Sequence, residues 1–126
     1  MRFLELDEVH ELHRASLAAF GGADGIRDSG MIESALASAI NTSLYGNGDA
    51  FDVAAAYAFH IAQAQAFFDG NKRSAIASAL AFLALNHAMR PPTPADRDAL
   101  YDAMIAIADH TLDKPALAAL LRRLFA

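Results

Sequence analysis

Two stretches of this chain constrain its fold more than anything else in it. Residues Val53–Phe68 and Ser74–Met89, sixteen each, contain no Asp, Glu, Lys or Arg. Both fall short of the roughly 20 apolar residues that a membrane span needs, and both contain Gln, Ser, His or Asn. They are apolar on every side, and helices of that kind sit at the centre of a bundle. Their abundant alanine lets neighbouring helices approach closely.

The flanking sequence supplies the outer helices. Asp7 is placed to cap a first helix with Val9, Leu12, Leu17 and Phe20 on its apolar side. Gly21-Gly22 stops it, "GGADGIRD" reads as a loop, and Asp28 or Ser29 caps a second helix carrying Ile32, Leu36, Ala39 and Ile40. The segment "LYGNGDAF" has turn chemistry and reads as a loop or short hairpin. Asp52 then opens the third helix, which runs to about Phe67; Gly70 breaks it, and Asn71 caps a fourth that runs to about Asn86. Thr93, Pro94 and Asp96 mark the start of a fifth helix, and Asp113 with Pro115 that of a short last one. The expectation is an all-α fold: a single compact domain spanning residues 1–126, about six helices around two central buried ones.

A chain of 126 residues is long enough to bury a core without staples. With no cysteine, disulfides and thiolate metal sites are excluded, which fits a reducing compartment. The opening "MRFLELDEVHELH" is too charged for a signal peptide, so a cytoplasmic location is expected. A net charge of -5 argues against direct nucleic-acid binding, which rewards a basic face.

Between Val53 and Met89 the only charged side chains are Asp69, Lys72 and Arg73, all in the loop joining the two central helices. Charge beside a core is costly unless it is paired or binds something. A helix starting at Asn71 turns its free N–H groups and positive dipole end toward the loop, which makes an anion site. Lys72 and Arg73 add charge where phosphates would lie. Gly70 permits close approach of a ligand, and Asp69 is suited to Mg²⁺ accompanying a nucleotide. The loop chemistry alone equally allows a plain helix–helix turn closed by an Asp–Arg ion pair.

The stretch "FFDGNKRSA", Phe67–Ala75, resembles the signature His-x-Phe-x-Asp/Glu-Gly/Ala-Asn-Lys/Gly-Arg of the Fic/Doc (filamentation and death-on-curing) proteins. "GGADGIRDSGMIESALASAI", "AFDVAAAYAFHIAQ" and "ALAFLALN" are similar to the regions around it in Doc toxins, so the resemblance covers essentially the whole chain. It implies that Phe67 anchors the loop, Asp69 is the acidic metal ligand, Gly70 and Asn71 form the anion nest and Arg73 contacts phosphate. Lys72 stands where AMP-transferring relatives have glycine; in Doc-type members it accompanies phosphoryl transfer from ATP. The resemblance further implies a toxin acting on a target like elongation factor Tu and neutralised by a small Phd-like antitoxin that docks a helix. AMP transfer, or a non-catalytic protein binding a nucleotide or partner, remain alternatives.

One position departs from the signature. The catalytic histidine of the family falls at Gln65, followed by Ala66. A glutamine amide is essentially non-basic and cannot take a proton from a target hydroxyl, so an impaired form is expected with its phosphate donors intact. Both an engineered inactive variant and a natural binding protein are compatible with it.

The remaining candidate residues have plainer readings. His60 reads as a core histidine rather than a substitute base. His10 and His13, three apart with no further ligand, read as a solvated helix face, and His87 and His110 as helix-end residues. Ser29–Glu33 resembles the Ser-x-x-x-Glu of the inhibitory helix of some Fic proteins, although a capped helix start accounts for it equally well. "LYGNGDA" takes the place of the family's target-docking flap or is a plain connector. Arg122 and Arg123 read as surface charges complementing a helix dipole.

Overall fold

The computed structural model describes all of residues 1–126 as six helices and no strand: α1 Leu6–Phe20, α2 Ser29–Leu44, α3 Ala50–Ala64, α4 Asn71–Leu85, α5 Pro94–Ala108 and α6 Lys114–Phe125. The central pair is α3 and α4, joined end to end by residues 65–70, with α2 and α6 packed on α3, α1 on α4, and α5 against both. No helix is long and apolar enough to cross a membrane.

The uncharged runs do what their composition dictates. Six consecutive residues of α3, Val53 to Ala58, are 1 % exposed or less, four of them alanines that bring α2 and α4 close to its backbone. Tyr57 of α3 meets Phe82 of α4 with ring centroids 5.3 Å apart, and Phe3 stacks on Phe82 from the amino-terminal segment. That segment is held by polar groups as well. The Leu4 N–H donates to the Tyr57 hydroxyl at 3.0 Å, and the Asn86 amide pairs with both the N–H and the carbonyl of Arg2.

Helix starts follow local chemistry. Asp28, Thr93 and Asp113 cap α2, α5 and α6 as their sequence positions predict. Two caps lie a little earlier than expected. Glu5, not Asp7, begins α1 through a reciprocal box with Glu8, and Asp49, not Asp52, begins α3, with Asp52 returning a bond to the Asp49 N–H. In both cases an acid three residues on satisfies the cap's own N–H, which an isolated cap at Asp7 or Asp52 would leave open.

The end of α3 also differs. It stops at Ala64, not near Phe67, because Gln65 takes the left-handed conformation (φ 51°, ψ 37°). The break therefore lies five residues before Gly70, which instead serves as the N-cap of α4. The "LYGNGDA" segment is a tight turn, with Gly48 N–H bonded to the Thr42 carbonyl, and contains no hairpin. Arg122 reaches back from α6 to Asp49 and Asp52 at 2.9 and 3.2 Å, so it clasps the start of α3 rather than simply complementing its own helix end.

A second ion pair sits where α5 begins. Arg90 contacts both oxygens of Asp96 at 2.7 and 3.1 Å, and the Thr93 N–H adds a third bond. The Arg90 guanidinium and the Thr93 N–H together hold the Asp96 carboxyl far below the usual carboxylate range. A carboxylate depressed in the folded state stabilises above its unfolded pKa of about 4 and loses that contribution as pH falls below it. Thermal unfolding followed between pH 6 and pH 2 should show the melting temperature dropping in the acid limb. In Asp96→Asn that drop should be visibly shallower, from a lower starting value near neutrality.

Candidate active site

The loop from Gln65 to Gly70 owes its shape to two side chains that turn inward. Phe67 is 1 % exposed, so its backbone N–H and carbonyl leave water and need partners. Both come from Asn71, whose carbonyl oxygen accepts from the Phe67 N–H at 3.0 Å while its amide nitrogen donates to the Phe67 carbonyl at 3.0 Å. The Asn71 side chain is thus committed to the loop instead of capping α4 and leaves only its backbone N–H for a ligand. The Phe67 ring stacks on His13, with centroids 3.7 Å apart and planes 10° from parallel, and meets the edge of His10.

The segment Gly21–Asp28 closes the loop from outside. Ile26 and Phe67 form an isolated antiparallel bridge. The N–H groups of Arg27 and Asp28 both donate to the Ala66 carbonyl, and that of Phe68 to the Gly25 carbonyl. Gly25, at φ +129°, must be glycine here, since a Cβ would lie 2.6 Å from the Phe68 ring. One oxygen of Asp69 accepts from the Ala23 N–H at 2.7 Å, leaving the other free.

These contacts line a cleft of about 400 Å³ that brings together Gln65, Asp69, Gly70, Asn71, Lys72 and Arg73 between walls formed by Phe20 and Tyr101. Ser74 is the first residue of α4 whose N–H finds a helical acceptor, the Gly70 carbonyl at 2.9 Å. The N–H groups of Asn71, Lys72 and Arg73 therefore remain unsatisfied at the positive end of the helix. The Asp69–Arg73 ion pair that would make this a plain turn is not formed. Arg73 instead lies 3.6 Å from the Phe20 ring centroid and 4.8 Å from that of Tyr101, and neither Lys72 nor Arg73 has a carboxylate partner. Phe20, expected on the apolar side of α1, is instead exposed, with one face against the Arg73 guanidinium.

Gln65 stands on the cleft wall. Its amide nitrogen donates to the Ala62 carbonyl at 2.9 Å and its oxygen lies 3.5 Å from the Asn71 amide, so its contacts lie within the loop and the helix end. Asp69 is the one carboxylate lining the cleft, and no group of three His, Cys, Asp or Glu side chains comes together anywhere. The donor set fits a divalent ion that takes one carboxylate and draws its remaining ligands from phosphate and water, as Mg²⁺ does.

Several other sequence expectations meet the geometry differently. His13 is no solvated residue: it is 2 % exposed, and its Nε2–H donates to the Asp69 carbonyl at 2.8 Å. Its spacing gave the signal, since position 13 falls four after Val9 and four before Leu17 on the inward side of α1. His60 faces α6, where Lys114 donates to its Nε2 at 3.1 Å, and burial together with that ammonium lowers its pKa. It is a part-buried structural histidine away from the cleft, as expected. His87 and His110 follow the ends of α4 and α5. Glu33 makes no ion pair, and Ser29 is simply the first residue of a helix capped by Asp28. The "LYGNGDA" turn, read as a docking flap or a plain connector, lies at the far end of α3, roughly 22 Å from Gln65 at 1.5 Å per residue. Gly21–Asp28 is the segment that borders the cleft.

Residues 3–83 match the Fic/DOC family, and the chain belongs to it. Two relatives extend the match to nearly full length. Protein kinase doc of Escherichia phage P1 is 32 % identical over 126 residues, covering 99 % of this chain and 97 % of that protein. Toxin Doc of Mycolicibacterium smegmatis is 36 % identical over 118 residues, covering 90 % and 88 %. Within the family, this chain is of the Doc type.

Replacing Asn71 with alanine removes the partners of two buried backbone groups, the N–H and the carbonyl of Phe67. Each orphaned group costs about 1–3 kcal/mol. Urea unfolding of Asn71→Ala should therefore show a stability loss of roughly 2–6 kcal/mol, with faster hydrogen exchange at the Phe67 amide.

Proposed function

We propose that this chain is a Doc-type toxin of a toxin–antitoxin pair whose active parent transfers the γ-phosphoryl group of ATP to a hydroxyl of a translation factor like elongation factor Tu in the cytoplasm. The observation that carries this reading is the cleft itself: an open helix N-terminus, two cations without carboxylate partners and one half-free carboxylate, with Gln65 on its wall.

The residues divide the work as follows. The N–H groups of Asn71, Lys72 and Arg73 receive phosphate oxygens, and the Lys72 and Arg73 side chains neutralise charge developing in transfer. The free oxygen of Asp69 would hold Mg²⁺, which would supply positive charge against the phosphates. Phe20 and Tyr101 keep the Arg73 guanidinium from collapsing onto the protein's own carboxylates, so it remains available to an anion. Position 65 is where a base must take the target hydroxyl's proton, and the glutamine amide does not accept one. The chain binds nucleotide and turns it over poorly.

The identity of Gln65 also favours a second reading, a non-catalytic protein whose nucleotide- or partner-bound state is its output. Transfer of AMP is the enzymatic alternative, against which Lys72 in place of glycine argues. One assay separates all three. Gln65→His, incubated with Mg²⁺, the elongation factor and γ-labelled ATP, should transfer label about 10²–10⁴-fold faster than the Gln65 form, the usual contribution of a general base. Label from α-labelled ATP would redirect the reading to AMP transfer. Nucleotide bound but never transferred, with histidine in place, would favour the binding protein.

The antitoxin has a fitting seat. Between α1 and α4 lies an apolar groove of about 640 Å³ walled by Leu4, Leu12, Ala81 and Leu85, with Glu8 and Glu11 beside it. It continues past Ala84 into a second hollow reaching Met89 and Arg90. An amphipathic helix with basic residues toward α1 matches that surface. Ala81→Arg should weaken capture of the partner antitoxin at least tenfold in a titration, while nucleotide affinity stays unchanged.

A further inference from the structure

The buried histidine of α1 touches the phosphate-binding loop at one atom, and that atom decides which way a peptide group faces. His13 lies beneath the loop, stacked on Phe67, and is absent from the lining of the cleft. Its Nε2–H donates 2.8 Å to the Asp69 carbonyl. The Asp69–Gly70 peptide is trans, so its N–H is directed opposite to its carbonyl. With the carbonyl turned down to His13, the Gly70 N–H is turned up toward the cleft, where no protein acceptor meets it.

This peptide has an alternative orientation. Gly70 sits at φ +81°, and a glycine occupies positive and negative φ about equally well. Rotating the plane of the Asp69–Gly70 peptide would turn the N–H down and present the Asp69 carbonyl to the cleft. An outward N–H attracts an anion, and an outward carbonyl repels one. Phe67 and Asn71 fix the loop before and after this peptide, but neither bonds to it. The remaining contacts of Asp69 are through its side chain. Only His13 holds the carbonyl.

We infer that His13 is a positioning residue that locks the Asp69–Gly70 peptide with its N–H toward the cleft, adding a fourth backbone donor to the three at the start of α4. The inference rests on the nucleotide-binding reading of the cleft and extends it to a residue outside the family signature. It also gives the stacking a purpose. The parallel Phe67 ring fixes the imidazole plane, and the plane aims Nε2. A space-filling core residue would need the ring but not the donor, whereas a positioning residue needs the donor.

Two substitutions separate those roles. His13→Phe keeps an aromatic ring against Phe67 and loses the donor; His13→Gln places an amide N–H near the position of Nε2 and loses the ring. Affinities for Mg²⁺ with a non-hydrolysable ATP analogue, and for inorganic tripolyphosphate, would be measured by calorimetry in the Gln65 chain. Loss of one N–H to a charged acceptor corresponds to about a tenfold change. His13→Phe should bind both ligands about tenfold more weakly, and His13→Gln within about threefold of the parent. Equal binding by His13→Phe overturns the inference, and so does equal loss in both variants, which would mark the ring as what matters. The carbonyl carbon shift of Asp69 and the amide nitrogen shift of Gly70 give a reading that needs no ligand. Both should move in His13→Phe and stay near the parent values in His13→Gln, and unchanged shifts in His13→Phe would overturn the lock. Should the parent itself bind neither ligand, the nucleotide reading falls, while these shifts still decide what His13 holds.

Discussion

One side chain standing in for a strand of backbone makes the rest of the site possible. Asn71 gives Phe67 the acceptor and the donor that a neighbouring peptide would give it, so an aromatic residue can be buried in the middle of a six-residue connection without leaving polar groups unpaired. With Phe67 fixed, the chain on either side has little freedom. Ala66 and Phe68 are drawn into pairing with residues 25–28, the ring becomes the surface on which His13 stacks, and α4 starts with its N–H groups toward the cleft. An Asp at this position would offer acceptors but no donor, and a Gln would carry the amide one carbon too far. The asparagine of the Fic/Doc signature is thus explained here by the loop backbone, before any ligand is considered.

The charges at this site owe their effect to what surrounds them. The two central helices contribute no charged side chain from Val53 to Phe68 or from Ser74 to Met89, so the cations of the loop act beside a medium of low polarisability, where electrostatic attraction is stronger than in water. Arg73 could have been neutralised internally. Its stacking against Phe20 and Tyr101 instead holds the guanidinium flat and leaves its donors uncommitted. On the proposed reading, binding and chemistry fall to different residues: backbone and cations on α4 for the first, the side chain at position 65 for the second.

Much of this was legible in the sequence. The two uncharged runs identify the central helices, and the spacing of Thr93, Pro94 and Asp96 places the start of α5 because a capping box is a local device. The same locality made the starts of α1 and α3 easy to misplace, since each offers two acids within three residues and only the reciprocal bond selects between them. The loop residues Asp69 to Arg73 were legible as charges with nowhere else to go. What could not be read were contacts set by tertiary packing. The burial of His13 depends on the ring of Phe67 54 residues away, and the role of Gly21–Asp28 on its pairing with residues 66–68. The left-handed turn at Gln65 is equally hidden, because glutamine carries no preference for it; the compact connection to α4 imposes it.

That turn has an evolutionary side. A non-glycine residue in the left-handed region is held there at a cost of about 1 kcal/mol relative to glycine, and position 65 bears it while facing the cleft. Selection for folding alone would drift this position toward glycine, which occupies the conformation freely and contributes no side chain. Under the proposed reaction, selection for chemistry would demand a particular side chain there and tolerate the strain. Glutamine relieves none of the strain, so position 65 keeps a strained backbone without the proton acceptor that the proposed reaction needs.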